Sequence, residues 1–384
     1  MPSVGCPVPR KDAYDKLLGV SKYIDDYNFD NQVYVYTVRS NCAYGKLLGV
    51  DKTEAEKMPG VLGVVTYDQI PGKNTIPLVK LDEPYLAEGY VHFHGEPVAL
   101  VVAESYEQAE EAAKFVKLNI EPLTPSLTIE DSLKPDAPKI FGDDNICSYF
   151  NVENGNPEEA FKQCTHIFER EYRTPYQEHA YLETNGCIAV PGIEDSITVY
   201  GSMQCPHYVQ DAVAMAAGVD KNKVRIIQTT TGGGFGGKED FPSVVCGQAT
   251  IVAKIFNRPA KLIYKRDEDI MASSKRHPGK VIMKVGTDDN GKLIAATIKY
   301  YMDAGGYTTL TPLVLLRGAV HALGPYKCEN VHIQAYGVCT NKVPCGAYRG
   351  FGSPQTVFAT ETMMDEISEA LNINPLEFRK RNGF

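Results

Sequence analysis

No C-x-x-C pair occurs among the 10 cysteines of the 384 residues. A zinc ribbon or an iron–sulfur cluster is therefore not indicated, and scattered reduced thiols in a cytosolic protein are the expected state. No apolar run approaches the roughly 20 residues of a membrane-spanning helix. The best one, Pro97 to Ala103, is strand-sized. Basic charge is not in excess either: 39 Lys and Arg face 48 Asp and Glu, a formal net charge of -9. A dedicated nucleic-acid binder would show a net basic face. The N-terminus, MPSVGCPVPRKDAY, has no apolar stretch of the kind a secretory signal needs, which leads us to expect a cytoplasmic protein. Internal repeats and low-complexity segments are also missing.

Hydrophobic residues make up 43% and charged residues 23%, enough to bury a sizeable core. The length predicts two or three domains. Residues 1–122 read as mixed α and β. Val33 to Arg39, Gly60 to Thr66 and Pro97 to Ala103 have strand composition. Tyr106 to Val116 has helical spacing behind a Ser105 N-cap. Residues 123–156, punctuated by Pro125, Pro135 and Pro138, read as a linker between domains. A second domain is expected over 157–384, opening on a helix with Pro157 at its first position. Strands are expected at His166 to Arg173, Gly186 to Val190, Ser196 to Tyr200, Val224 to Gln228, Ala260 to Tyr264 and Ala295 to Tyr301. Helices are expected at Pro206 to Gly218, Ser243 to Asn257 and Phe358 to Leu371.

The most informative segment is Thr231-Gly232-Gly233-Gly234-Phe235-Gly236-Gly237-Lys238-Glu239, between a strand and a helix. Gly232, Gly234 and Gly237 fit G-x-G-x-x-G, a dinucleotide motif. The acidic residue expected roughly 20 positions later is missing, because the chain there reads Phe256-Asn257-Arg258-Pro259. Gly232, Gly237 and Lys238 also mimic a P-loop, but Glu239 stands where Ser or Thr should hold magnesium. The physics of five glycines in six positions remains: positive φ, close approach of the backbone to a ligand, and a nest of N–H groups for an anion. A glycine-rich packing turn stays open as the plain alternative.

Together with other strings, this loop resembles the molybdenum hydroxylases of the xanthine dehydrogenase and aldehyde oxidase family. Gly346-Ala347-Tyr348-Arg349-Gly350-Phe351-Gly352-Ser353-Pro354-Gln355 resembles the family's second cofactor loop. Gln177-x-His179-x-Tyr181-Leu182-Glu183, Arg276-His277-Pro278 and Asn374-Pro375-Leu376-Glu377-Phe378-Arg379 resemble strings of its molybdenum domain. Gly95-Glu96-Pro97-Val98-Ala99 and Asp68-Gln69-Ile70-Pro71-Gly72 resemble its hammerhead domain, although Ala43-Tyr44-Gly45-Lys46 departs from the usual string there. The resemblance implies an α+β fold: an N-terminal α/β hammerhead domain followed by the first molybdopterin-binding α/β domain. It implies molybdopterin carrying molybdenum, with the nucleotide form left open. The implied reaction places water-derived oxygen on an electron-poor carbon, and electrons leave through iron–sulfur clusters to FAD on partner chains.

Site roles follow from the same resemblance. Gln204 resembles the glutamine that bonds a molybdenum ligand, and Gly234, Phe235 and Gly236 the loop contacting metal ligands and pterin. Arg349 resembles the active-site arginine, which can stabilise developing negative charge. Ala347 and Phe351 resemble pocket-wall residues. Glu239 and Arg317 resemble the substrate-binding pair of purine-oxidising members, which favours a purine-like N-heterocycle over an aldehyde. No side chain ligates the metal directly in the family. Its general-base glutamate lies in a second molybdenum domain, so no residue here is assigned to it. The implied partners are a second molybdopterin-domain subunit, an iron–sulfur subunit and an FAD subunit, as in split members. A non-catalytic cofactor-holding subunit is the alternative from another class.

Overall fold

Val33–Arg39, with Val, Tyr or Thr at six of seven positions, forms the strand its composition predicts. The computed structural model describes residues 4–384; positions 1–3, where the expected leaderless N-terminus begins, lie outside them. In chain order the strands are β1 (Val33–Arg39), β2 (Gly45–Asp51), β3 (Val61–Val65), β4 (Tyr90–Val91), β5 (Pro97–Ala103), β6 (Lys117–Pro122), β7 (Ile146–Asn154), β8 (His166–Thr174), β9 (Gly186–Pro191), β10 (Ile197–Gly201), β11 (Val224–Gln228), β12 (Ala260–Ile263), β13 (Gly279–Thr287), β14 (Leu293–Gly305) and β15 (Asn330–Cys339). They make a seven-stranded sheet of order β11-β10-β9-β12-β1-β5-β3, a five-stranded sheet β7-β15-β14-β13-β8 and a small sheet β4-β2-β6. The fold is the α+β arrangement expected.

β5 shows why its apolar run is continuous. It lies between β1 and β3 and is buried along its whole length. Leu100 and Val102 join the core under the helices Pro206–Ala217 and Pro242–Phe256. Ala99, Val101 and Ala103 point the other way, into a core with Ala109 and Ala112 of the helix Tyr106–Ala113. That helix starts where predicted, with Ser105 Oγ accepting from the Gln108 N–H at 3.3 Å. The five-stranded sheet packs against the helices Thr311–Val320, Ser353–Ala370 and Pro375–Asn382 through Met283, Tyr300, Val314, Met363 and Phe378.

Two expectations need correction. Residues 123–156 are not a bare linker. They contain the helix Ile129–Ser132 and strand β7, which pairs antiparallel with β15. Buried Asn145 ties this stretch down, donating to the carbonyls of Ser132 and Pro138 and accepting from the N–H groups of Ile140 and Phe141. β7 is an edge strand, mostly exposed, so it lacks the apolar run that marks a buried strand. The boundary after residue 122 is also not a boundary of the sheet. β1 pairs parallel with β12, Val33 opposite Ala260, so β1, β5 and β3 continue the sheet built by β9 to β12. Strands β13 and β15 and the helix Thr311–Val320 had no clear sequence signal.

Two β-α-β units carry the two glycine-containing loops. β10, the helix Pro206–Ala217 and parallel β11 form one; β14, the helix Thr311–Val320 and parallel β15 form the other. The glycine loop leaves the end of β11, and the Arg349 loop leaves the end of β15. Ligand sites of α/β sheets gather at such carboxyl ends. Among the described residues no helix is long and apolar enough to cross a membrane.

A buried ion pair ties the first strand to the later half of the chain. Arg39 Nη2 lies 2.8 Å from Glu268 Oε1, with side chains 6% and 7% exposed, and the guanidinium lies over the Tyr264 ring. Removing one partner strands a buried charge. Glu268→Ala is expected to destabilise the chain by about 3–5 kcal/mol in urea unfolding, and the double change Arg39→Met with Glu268→Leu to recover much of that loss.

Candidate active site

The glycine loop is held from within by one carboxylate. Glu183 Oε2 accepts from the Gly232 N–H at 2.7 Å, from Lys238 Nζ at 3.0 Å and from Ser202 Oγ at 2.6 Å. Lys238 has no exposed surface and sits 4.7 Å over the Tyr181 ring. Burial pulls its proton affinity down while Glu183 opposes that shift. The P-loop-like lysine is thus a structural cation facing inward. Gln204 holds the middle of the loop: its Oε1 accepts from the Gly236 N–H at 2.9 Å, and its own backbone N–H donates to the Lys238 carbonyl at 2.6 Å. A Cβ on Gly234 would lie 2.4 Å from Gln204 Oε1, so a side chain there would push Gln204 off the loop.

The two loops meet backbone to backbone. The Arg349 N–H donates to the Phe235 carbonyl at 2.9 Å. Gly236, at φ +102°, faces the second loop so closely that a Cβ would lie 2.7 Å from the Ala347 carbonyl oxygen. His179 Nε2 bonds that same carbonyl at 2.9 Å and its ring stacks 4.3 Å from Tyr348. Arg276 lies 3.8 Å over Tyr348. Two groups this near cannot share one face, so Tyr348 is sandwiched between them. Burial lowers the pKa of His179 to about 4, which keeps it neutral. Helix Thr311–Val320, which carries Arg317, presses on Gly352 of this loop: a Cβ there would lie 2.1 Å from the Val314 carbonyl.

Several groups at this junction are left without protein partners. Among the described residues the N–H groups of Gly233, Gly234 and Phe235 find no acceptor, nor do the side chains of Arg349, Arg317 and Glu239 find an ion-pair partner. With Oε1 committed to the loop, the Gln204 amide nitrogen faces away and is also free. Phe235, at φ +52°, is 52% exposed. A large ring held in that conformation and left in the open fits a surface that meets a ligand. Three consecutive free N–H groups, a free amide nitrogen and an unpaired guanidinium suit an anionic cofactor. Glu239 is half-buried, and burial raises its pKa. Behind it, Asp240 is buried against Gly346, and burial followed by the nearby Glu239 charge pushes its pKa up to about 7. Its Oδ1 has no protein partner and lines a cavity of about 20 Å³ with Ser274 and Glu96, room for about one water.

The comparisons with known proteins agree with this geometry. Residues 141–383 match the model of the molybdopterin cofactor-binding domain, and residues 18–124 match that of the aldehyde oxidase and xanthine dehydrogenase a/b hammerhead domain. The chain belongs to the xanthine dehydrogenase and aldehyde oxidase family of molybdenum hydroxylases. It is 36% identical over 374 residues to the nicotinate dehydrogenase large molybdopterin subunit of Eubacterium barkeri, covering 97% of this chain and 88% of that one. It is 36% identical to a probable xanthine dehydrogenase subunit of Bacillus subtilis, over 97% of this chain and 50% of that one. The aldehyde oxidoreductase structure from Desulfovibrio desulfuricans superposes over the whole chain with a TM-score of 0.94 at 27% identity, although the chain spans only 44% of it.

Set against the family expectation, Gln204, Gly234, Phe235, Gly236 and Arg349 stand in one contacting group. Glu239 follows directly, its N–H donating to the Gly236 carbonyl at 3.0 Å. Arg317 reaches the group only through its helix, and no contact joins it to Glu239. Ala347, expected on the pocket wall, is buried in the core of the five-stranded sheet and contributes its carbonyl to His179. Phe351, at φ +49°, is half-buried against the same core. Sequence reasoning missed Glu183 with Ser202, His179, Arg276 and Asp240 as structural supports. The signals were there in the Gln177 to Glu183 string and in Lys238.

Two outcomes test this arrangement. Glu183→Ala should cost about 3–5 kcal/mol by leaving Lys238 buried without its partner, measured by urea unfolding. For Asp240 the folded pKa lies above the unfolded value. Stability from its proton is present at low pH and lost as pH rises from near 4 through about 7. The melting temperature of Asp240→Asn relative to wild type should therefore increase by about 2–6 °C between pH 5 and pH 8.

Proposed function

We propose that this chain is the molybdopterin-binding part of a molybdenum hydroxylase acting on a purine-like N-heterocycle. The observation that carries the reading is a glycine loop with three free N–H groups beside the unpaired Arg349 and Glu239, with Arg317 unpaired on the helix that presses on the second loop. When bound, the molybdenum–pterin group supplies the two-electron oxidation of an electron-poor carbon. The protein's part is positioning. Gly233, Gly234 and Phe235 donate from the backbone toward the anionic cofactor, and the Gln204 amide nitrogen donates beside them. Arg349 stabilises negative charge that develops on the substrate during attack. Glu239, with its raised proton affinity, accepts from or donates to a ring nitrogen, and Arg317 donates to a ring carbonyl.

A second reading is a nicotinate-like substrate. It draws on the Eubacterium barkeri relative, of which 88% is matched. That relative's description as a large molybdopterin subunit also supports a site completed by other polypeptides: a second molybdopterin-domain subunit with the general base, an iron–sulfur subunit and an FAD subunit. Aldehyde oxidation is disfavoured by the unpaired Glu239 and Arg317. A cytoplasmic location and a pterin dinucleotide form belong to the same proposal.

Xanthine, hypoxanthine and nicotinate hydroxylation by the complex reconstituted with its partners tests the reading. Xanthine turnover is expected, with Arg349→Met lowering kcat by about 10²–10³-fold. Glu239→Ala should lower kcat/KM for xanthine by at least about tenfold and leave nicotinate nearly unchanged. Turnover of nicotinate alone would select the second reading. A complex that retains a nucleotide and no molybdenum would overturn both.

A further inference from the structure

Arg276 is a buried cation without a counter-charge. It is 8% exposed and has no carboxylate partner among the described residues. Nε donates to Gln177 Oε1 at 2.5 Å and Nη2 to the Arg349 carbonyl at 2.9 Å, both neutral acceptors. The third nitrogen, Nη1, is buried with no partner at all. Such a charge is costly unless something anionic completes it. Arg276, whose guanidinium lies 3.8 Å over the Tyr348 ring, also lines a cavity of about 300 Å³ together with Gln177, Thr174, Gln355 and Phe358.

The rest of the lining narrows the ligand. Gln355 is 1% exposed; its Nε2 donates to the His277 carbonyl at 3.1 Å and its Oε1 is a second buried atom without a partner. Thr174 Oγ1 accepts from the Gly279 N–H, which leaves its proton free to donate. Phe358, half exposed, forms an aromatic wall and packs edge-on against Tyr172. Arg173 at the mouth is already engaged by Glu130 and Glu171. Those carboxylates disfavour a dianion such as phosphate and leave Arg276 as the one uncompensated cation among the described residues of the cavity. We infer that this cavity binds a small aromatic monocarboxylate, with its carboxylate on Arg276 and Thr174 and its ring against Phe358. An N–H on the ring, or a bridging water, satisfies Gln355 Oε1. Arg276 Nη2 holds the Arg349 carbonyl, so a ligand here reaches the second loop through Arg276. The inference does not depend on the cofactor.

Titration calorimetry on the full chain tests it with benzoate, benzamide and inorganic phosphate as probes. Benzoate should bind saturably at one site, with benzamide and phosphate at least tenfold weaker. Phe358→Ala changes an exposed side chain and keeps the fold, which circular dichroism would verify. It should weaken benzoate at least fivefold, and Arg276→Lys, which loses the fork but keeps the charge, should do the same. Arg349→Met should leave benzoate affinity within twofold. No saturable benzoate binding, equal binding of benzamide, or an affinity lost in Arg349→Met and kept in Phe358→Ala would each overturn the inference.

Discussion

The Glu183 carboxylate is the point from which the site is built. It is one acceptor for three donors that come from different elements: the N–H that opens the glycine loop, the ammonium that closes it, and the Ser202 hydroxyl after β10. A fully buried ammonium is expensive on its own, and a carboxylate with further hydrogen bonds is what makes the burial tolerable. Once Gly232 and Lys238 are held to the same side chain, the five residues between them have little room. They take the positive φ angles of Gly233, Phe235 and Gly236, and the N–H groups of Gly233, Gly234 and Phe235 are left without acceptors among the described residues.

The second loop leans on the first. Its Arg349 N–H needs the Phe235 carbonyl, and its Ala347 carbonyl occupies the space that a side chain on Gly236 would take. This dependence explains why two separate β-α-β units, in two different sheets, deliver their loops to one place. Each unit is held by its own apolar core, and backbone from the two units comes into close contact at these loops. Glycine is required there for a steric reason, not for flexibility.

Charge is sorted by the same packing. Lys238 and Asp240 belong to the loop yet face inward, one paired and one kept protonated near neutrality by burial. Glu239 between them is half-buried and, like Arg349, has no ion-pair partner among the described residues. The short charged run thus supplies two inward-facing groups and an unpaired carboxylate at once. Arg276 is the exception, buried and uncompensated, and its free nitrogen lines a cavity of its own.

Strands with β-branched and aromatic runs, the Ser105 cap, the Pro157 and Pro206 helix starts and the two loops were all legible in the sequence, because each is a local property of a few adjacent residues. The motifs also placed Gln204, Phe235, Gly236 and Arg349 in one family site. Other features depend on partners far away in the chain. β7 has no pattern of its own and becomes a strand only because β15 offers an edge. Ala347 is buried by a core the sequence alone does not reveal, and Lys238, which mimics a P-loop lysine, is held inward by Glu183, 55 residues earlier. The sequence by itself determined which residue types stand in the two loops, and hence the kind of ligand they suit. Only the tertiary structure decided which of those side chains are left unpaired and which hold the loop, since that depends on the distant group that reaches each of them first.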